Sequence, residues 1–334
     1  MLKAYIVLAH TRPTQLGRLV RSLDDGSSHF FIHIDRNCDA KPFLQELPNR
    51  NCYHQIAPRE RCGWGQFGLV RATLHGLQAV LETHIEFDVI QLISGQDYPL
   101  RSNAYINRFF ELNRGRNFIE HWSFPAPFWT NGGLDRIHAY HFGDRRRRSR
   151  QRLSRLVTWV CNRSVILRRQ FPRDLTPFGG WQWWSISLAA AKEIKRFTEI
   201  RPDFLRYHRW SLVPDEIFFQ TILLNSRSES VRYNIVNNCL RYIDWDNPNP
   251  SAPATLDSRY FASLIASRSL FARKFDNAHD NSILDQLDRH REIEESQLKL
   301  SGPTTHLEFE PGRNSPHSAA SPQTKMNLFT IKPQ

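Results

Sequence analysis

The sequence is short of the features that mark several large protein classes. Its 334 residues include only five cysteines, at positions 38, 52, 62, 161 and 239. The number is odd and no two form a C-x-x-C, which argues against a disulfide framework and against a cysteine-based zinc site. No G-x-G-x-x-G follows the first predicted strand and no Walker loop occurs, so a dinucleotide dehydrogenase or a P-loop ATPase is disfavoured. No stretch approaches the roughly 20 apolar residues that span a bilayer. The first apolar run, Ala4 to Ala9, is too short for a secretory leader and enters a His-Thr-Arg-Pro turn. The expected setting is therefore cytoplasmic and reducing.

What is present is a basic, aromatic, globular composition. The chain is 40% hydrophobic and 12% aromatic, enough to bury one large core or two modest ones, and its nine tryptophans suit flat apolar ligand faces. A net charge of +12 implies attraction to polyanions: nucleic acid, an anionic membrane surface or a phosphorylated small molecule. The densest charge run is Arg145 to Arg152. It reads as a solvated insertion, or as a polybasic patch peripheral to the inner face of a membrane. No helix-turn-helix, zinc-finger or ribonucleoprotein pattern accompanies it, which makes nucleic acid an unlikely partner.

The pattern along the chain is α/β. Ala4–Ala9 is a continuous apolar run, as in a strand covered on both faces. Pro13 opens a helix with Leu16, Leu19, Val20 and Leu23 on one face, and Phe30–Asp35 is a second strand. This β-α-β start predicts a doubly wound sheet. Further strands are expected at Cys52–Ile56, Phe87–Ile93, Asn117–Trp122 and Arg241–Trp245, with helices at Gly68–Glu82, Leu188–Phe197 and Ser258–Ser267. After about Ser301 the polar composition predicts a disordered tail.

Ligands of such sheets bind at the carboxyl ends of the strands. Ala9-His10, Asp35 and Gln96-Asp97 fall on that rim. Pro214-Asp215-Glu216, followed by apolar Ile217, Phe218, Thr221 and Ile222, reads as the start of an amphipathic helix, where Pro and acids suit the first turn. Gly95–Pro99 and Gly180–Trp184 also end apolar runs. Three such clusters predict one cleft, and a nucleotide-sugar site fits it.

Taken in order, A-Y-I-V-L-A-H, F-I-H-I-D, Trp64-Gly65, I-S-G-Q-D-Y-P-L, W-Q-W-W-S-I-S, P-D-E-I-F-F-Q-T, R-Y-I-D-W and L-F-A-R-K-F-D make the chain recognisable from Ala4 to about Asp276. It resembles the core-2/I-branching β-1,6-N-acetylglucosaminyltransferase family, which includes the peptide O-xylosyltransferases. The resemblance implies a GT-A-type nucleotide-sugar-binding fold with a Rossmann-like, mostly parallel central sheet flanked by helices. One domain is expected over 1–300, with a donor half to about 125, an acceptor and catalytic half from about 126, and a basic insertion at about 143–172. Residues 301–334 form the tail.

The resemblance also implies roles. Glu216 matches the general base of an inverting transfer from a UDP-sugar to a hydroxyl of a glycan, lipid-linked or polysaccharide acceptor, and Asp215 a helix-capping or positioning neighbour. No metal or other cofactor is expected, because the usual Asp-x-Asp is missing from the strand end at Ser94-Gly95-Gln96-Asp97. Lys274 would instead meet the UDP charge, with Arg259, Arg268 or, preferred, Arg273 as second cation. His10, Asp35 and Asp97 are expected donor contacts. Glu120, Arg136 and Trp245 are expected on the acceptor side, and Trp183 and Trp184 would line the pocket or pack the core. Asp244-Trp245-Asp246 spells an Asp-x-Asp and keeps a metal-dependent alternative open. Phe-Ala-Arg-Lys-Phe leans toward a xylose donor and Gly-Gln-Asp-Tyr-Pro toward GlcNAc. The reading from another class is a non-catalytic carbohydrate- or polyanion-binding protein.

Overall fold

The computed structural model describes residues 1–142, 152–164, 167, 169–247 and 252–301. The expectations for the arginine run before residue 152 and for the tail beyond 301 lie outside the described residues.

Twelve strands are found among them: β1 (Lys3–Ala9), β2 (Ser28–Ile34), β3 (Tyr53–Gln55), β4 (Val89–Ser94), β5 (Asp97–Pro99), β6 (Asn117–Ile119), β7 (Trp122–Ser123), β8 (Phe178–Gly179), β9 (Trp184–Ile186), β10 (Ile235–Val236), β11 (Arg241–Ile243) and β12 (Phe271–Arg273). Seven form the central sheet in the order β10-β6-β9-β4-β1-β2-β3. Its β1, β2, β3 and β4 pair in parallel, whereas β9 runs antiparallel to both β4 and β6. The expected α/β class, with a mostly parallel sheet flanked by helices, is what the structure shows.

The apolar runs explain the central position of β1. All seven of its residues are buried, because apolar layers cover both faces of the sheet. The helix Pro13–Leu23 packs Leu16, Leu19, Val20 and Leu23 on one face. The helices Gly68–Glu82, Leu188–Ile200 and Phe218–Leu224 contribute Val70, Ile194 and Ile222 to the other.

Several boundaries differ from the sequence expectation. The expected strand at 117–122 divides into β6 and β7, and the strand from Arg241 ends at Ile243. The expected helix at 258–267 is a 3-10 turn, Ser258–Tyr260, followed by Phe261–Ala266. The helix Ser282–Ser301 was not anticipated. Only its first turns bury apolar groups, Ile283, Leu284 and Leu287. Polar ties also hold it: the Tyr98 hydroxyl donates to Asp288 at 2.8 Å, and Arg18 reaches Asp285 at 2.6 Å.

Candidate active site

The Pro-Asp-Glu motif does not open an α-helix. Pro214–Glu216 is a 3-10 turn entered from Val213 in the left-handed region (φ 48°), and the α-helix begins only at Phe218. The turn is fixed at both ends. Val213 N–H donates to the Gly65 carbonyl at 3.0 Å, and Gly180 N–H donates to the Glu216 carbonyl at 2.8 Å. Gly180 permits that approach, since a Cβ there would lie 1.9 Å from the Glu120 carbonyl oxygen. The pairing of β7 with β8 and of β6 with β9 therefore brings Glu120 beside the turn carrying Glu216.

The Glu216 carboxylate is 17% exposed and accepts from Arg136 Nη1 at 2.5 Å. Arg136 comes from the short helix Leu134–His138, and its guanidinium lies 3.8 Å from the Trp129 ring centre. A ring face favours a cation, so Trp129 and Glu216 together hold this side chain. From Trp129 an aromatic series continues through Trp122 and Trp181 to Trp245. Trp122 meets both Trp129 and Trp181 edge to face, and Trp181 stacks on Trp245 with 5.2 Å between centres. Arg136 and Trp245 thus occupy two ends of one aromatic platform. Trp181, Trp122 and Trp129 were not singled out by sequence reasoning; the W-x-W-W spelling was the available signal for the first.

Asp215 makes no helix cap. It is 5% exposed and its Oδ1 has no hydrogen-bond partner. Burial, then the charge of Glu216, raises its carboxyl from 3.8 to about 7. A raised native pKa means that folding takes up a proton. The stabilising contribution is complete below the unfolded value near 4 and is lost as pH climbs to about 7. Asp215→Asn is therefore expected to match the parent's stability near pH 4 and to exceed it at pH 8, by a few kcal/mol at most, with a correspondingly higher melting temperature there. Parallel melting curves at all pH values would refute this.

The loop 62–65 links the turn to the strand ends. Asp35, just after β2, accepts from Cys62 N–H at 3.1 Å and from Asn37 N–H at 2.7 Å. Burial, with the charges of Asp35, Glu60 and Asp215, pushes the Cys62 thiol up. Asp35 is 6% exposed, so its carboxylate is committed largely to shaping this loop. His10 is exposed at the end of β1 and lines an open cavity of about 550 Å³ with Arg12, Cys38, Asp39 and Asn277. Arg12, which sequence reasoning passed over, is paired with Asp276 at 2.6 Å. Lys274 is half-buried and does not line that cavity; the N–H of its neighbour Phe275 donates to the Gln96 carbonyl at 2.9 Å.

Asp97 sits apart from that open cavity. The antiparallel pairing of β5 with β12 sets Asp97 opposite Arg273. Arg273 Nε donates to its Oδ1 at 3.1 Å, and Arg241 Nε lies 3.7 Å from its Oδ2. Asp97 and Arg241 are sealed from solvent. Burial raises the carboxyl and lowers both guanidinium groups; the Asp97 charge opposes the shift of each arginine and theirs oppose its own, while Arg273 adds to the lowering of Arg241. Arginine does not surrender its proton in proteins, so the carboxylate is their internal counter-ion. Arg273 also stacks 4.1 Å from the centre of buried Trp183. Trp184 is fully buried in β9, between Leu92 and Ile119, and belongs to the core. Arg259, another candidate second cation, is 86% exposed and pairs with Asp257.

The Asp-Trp-Asp spelling has a local explanation. Asp244 accepts from the Tyr260 hydroxyl at 2.8 Å and from Asp246 N–H at 2.7 Å, so both of its oxygens are engaged. Among the described residues no three His, Cys, Asp or Glu side chains gather as a metal cage. Among them, too, no helix is long and apolar enough to cross a membrane.

Xylosyltransferase 2 of Rattus norvegicus is 25% identical over 320 residues, covering 86% of this chain and 33% of its own length. Xylosyltransferase 1 of Homo sapiens is 24% identical over 315 residues, covering 85% and 30%. The chain thus spans about a third of the length of the curated relatives it matches. Among solved structures, mouse Xyloside xylosyltransferase 1 in its apo form aligns with a TM-score of 0.38 and 12% identity, over 83% of this chain and 99% of that one. The family model described as Core-2/I-Branching enzyme matches residues 3–265, most of the sequence, and the chain belongs to that family.

Proposed function

We propose that the protein is an inverting glycosyltransferase that moves GlcNAc or xylose from a UDP-sugar to a hydroxyl of a glycan or glycoconjugate. The observation that carries this reading is the Glu216 carboxylate, held by Arg136 on a fixed turn beside a tryptophan platform. The acceptor hydroxyl gives its proton to Glu216 while its oxygen bonds to the anomeric carbon, and the bond to UDP breaks with its electron pair leaving on the diphosphate. Arg136 orients the base, and Trp181 and Trp245 offer the acceptor a stacking face. Lys274 supplies fixed positive charge to the leaving diphosphate, as a metal does elsewhere. The commitment of Asp97 to two arginines and of Asp244 to its own loop supports that choice. Arg273, spent on Asp97 and Trp183, is a weaker second cation than its sequence position suggests, and Arg12 on the His10 rim becomes the alternative. The reading sets the enzyme on the cytoplasmic side, with a lipid-linked or polysaccharide acceptor at the inner membrane face.

The test is UDP release from a panel of UDP-sugars, with and without EDTA. The relatives named above are xylosyltransferases, so UDP-xylose stands beside UDP-GlcNAc as first donor. Slow hydrolysis of one donor, unchanged by EDTA and diminished by Lys274→Ala, is expected. A strict need for added Mn²⁺ would overturn the metal-free part. If no UDP-sugar is bound or turned over with glycan acceptors present, the protein is a binding module.

A further inference from the structure

The helix Arg152–Arg163 turns an apolar face away from the protein. Hydrogen bonds tie one side of it to the fold. The Thr158 hydroxyl accepts from Phe142 N–H at 3.3 Å, and Asn162 bonds the Tyr140 backbone at 2.7 and 3.0 Å. Leu156 and Val160, one turn apart, project from the opposite side. They are 57% and 47% exposed, and Trp159 and Leu167 are similarly open. Scattered exposed apolar residues are ordinary, whereas a contiguous set marks an interaction surface.

Its charge indicates what covers it. Arg163 lies 5.0 Å from the centre of the Trp159 ring. An indole beside a cation, at the edge of an apolar stripe, suits the boundary between headgroups and acyl chains. The segment from Arg145 to Arg173 contains eleven arginines and neither aspartate nor glutamate. One of them, Arg169, is internal, with hydrogen bonds to the Ala139 and Trp210 carbonyls. The segment's net positive charge favours an anionic partner.

We infer that this helix docks the protein on an anionic bilayer, its apolar face in the headgroup boundary and Arg163 on lipid phosphates. Nucleic acid would engage the arginines and leave Leu156 and Val160 in water, so a bilayer fits the pair of observations better. The inference needs no donor chemistry. It adds to the glycosyl-transfer reading a surface at which a lipid-linked acceptor is met.

The experiment is sedimentation of the full chain with vesicles of phosphatidylglycerol and phosphatidylethanolamine, against phosphatidylcholine alone. Binding to the anionic vesicles is expected to fall roughly tenfold in Leu156→Ser/Val160→Ser and again in Arg163→Gln. It should be weakened but not abolished by 0.5 M salt, since apolar contacts survive screening. UDP release without acceptor should be unchanged in these variants, which separates failure here from failure of the transferase reading. Full binding by the double Ser variant, with complete reversal by salt, would reduce the surface to a general polyanion patch and overturn the inference. So would absence of vesicle binding, tighter binding to duplex DNA than to vesicles, or a concentration-dependent dimer that the double Ser variant abolishes.

Discussion

Glu216→Gln is expected to lower glycosyl transfer by about 10² to 10⁴, the usual range for loss of a positioned general base. The amide keeps the size of the side chain and can still accept from Arg136, so the turn held by Gly65 and Gly180 stays intact. What disappears is the negative charge, and with it the basicity that takes the acceptor proton. The loss should therefore fall on kcat, with donor KM nearly unchanged. Slow hydrolysis of the donor by water should suffer less, because it makes a smaller demand on that base. Wild-type transfer by Glu216→Gln would remove this residue from the chemistry.

Asp97→Asn should act on the fold instead. The substitution leaves Arg241 and Arg273 without their shared anion in a site closed to water. Breaking a buried ion pair by removing one member costs about 3–5 kcal/mol, because the other charge is stranded. A chemical denaturation midpoint checks this directly. At a temperature where the variant is folded, donor KM should stay within a few-fold of the parent. A large rise in KM without loss of stability would restore Asp97 to the donor site, where the sequence alone had put it.

That contrast shows which parts of the molecule were legible in the sequence. Strands β1 and β2 were, because each is an unbroken apolar run with a turn behind it. Glu216 was picked out by its motif, but its turn was misjudged: the acids of Pro-Asp-Glu suit a helix start, and nothing local announces the left-handed Val213 that forces a 3-10 turn first. The environment of Asp97 depends on the register of β5 against β12, a pairing of segments more than 170 residues apart. The pairing of Arg136 with Glu216 spans 80 residues. Short-range patterns carry no information about either. The helix Ser282–Ser301 escaped for another reason. Its anchoring runs through Asp285, Asp288 and Glu294 to arginines elsewhere, so its apolar periodicity is thin.

The antiparallel position of β9 has a consequence for synthesis. Strand β6 has only β9 and β10 as sheet neighbours, and β9 also covers the free edge of β4. When residue 125 has emerged from the ribosome, both edges are made and neither has a partner. The chain must then be extended by some 60 residues, to Ile186, before one strand closes both gaps. At about 5–20 residues per second that interval lasts roughly 3–12 s. During it, unpaired edges rich in Ile and Phe are open to other chains. A nascent chain stalled near residue 125 is therefore a ready client for chaperones, and one stalled well past residue 236 has its whole central sheet available to fold.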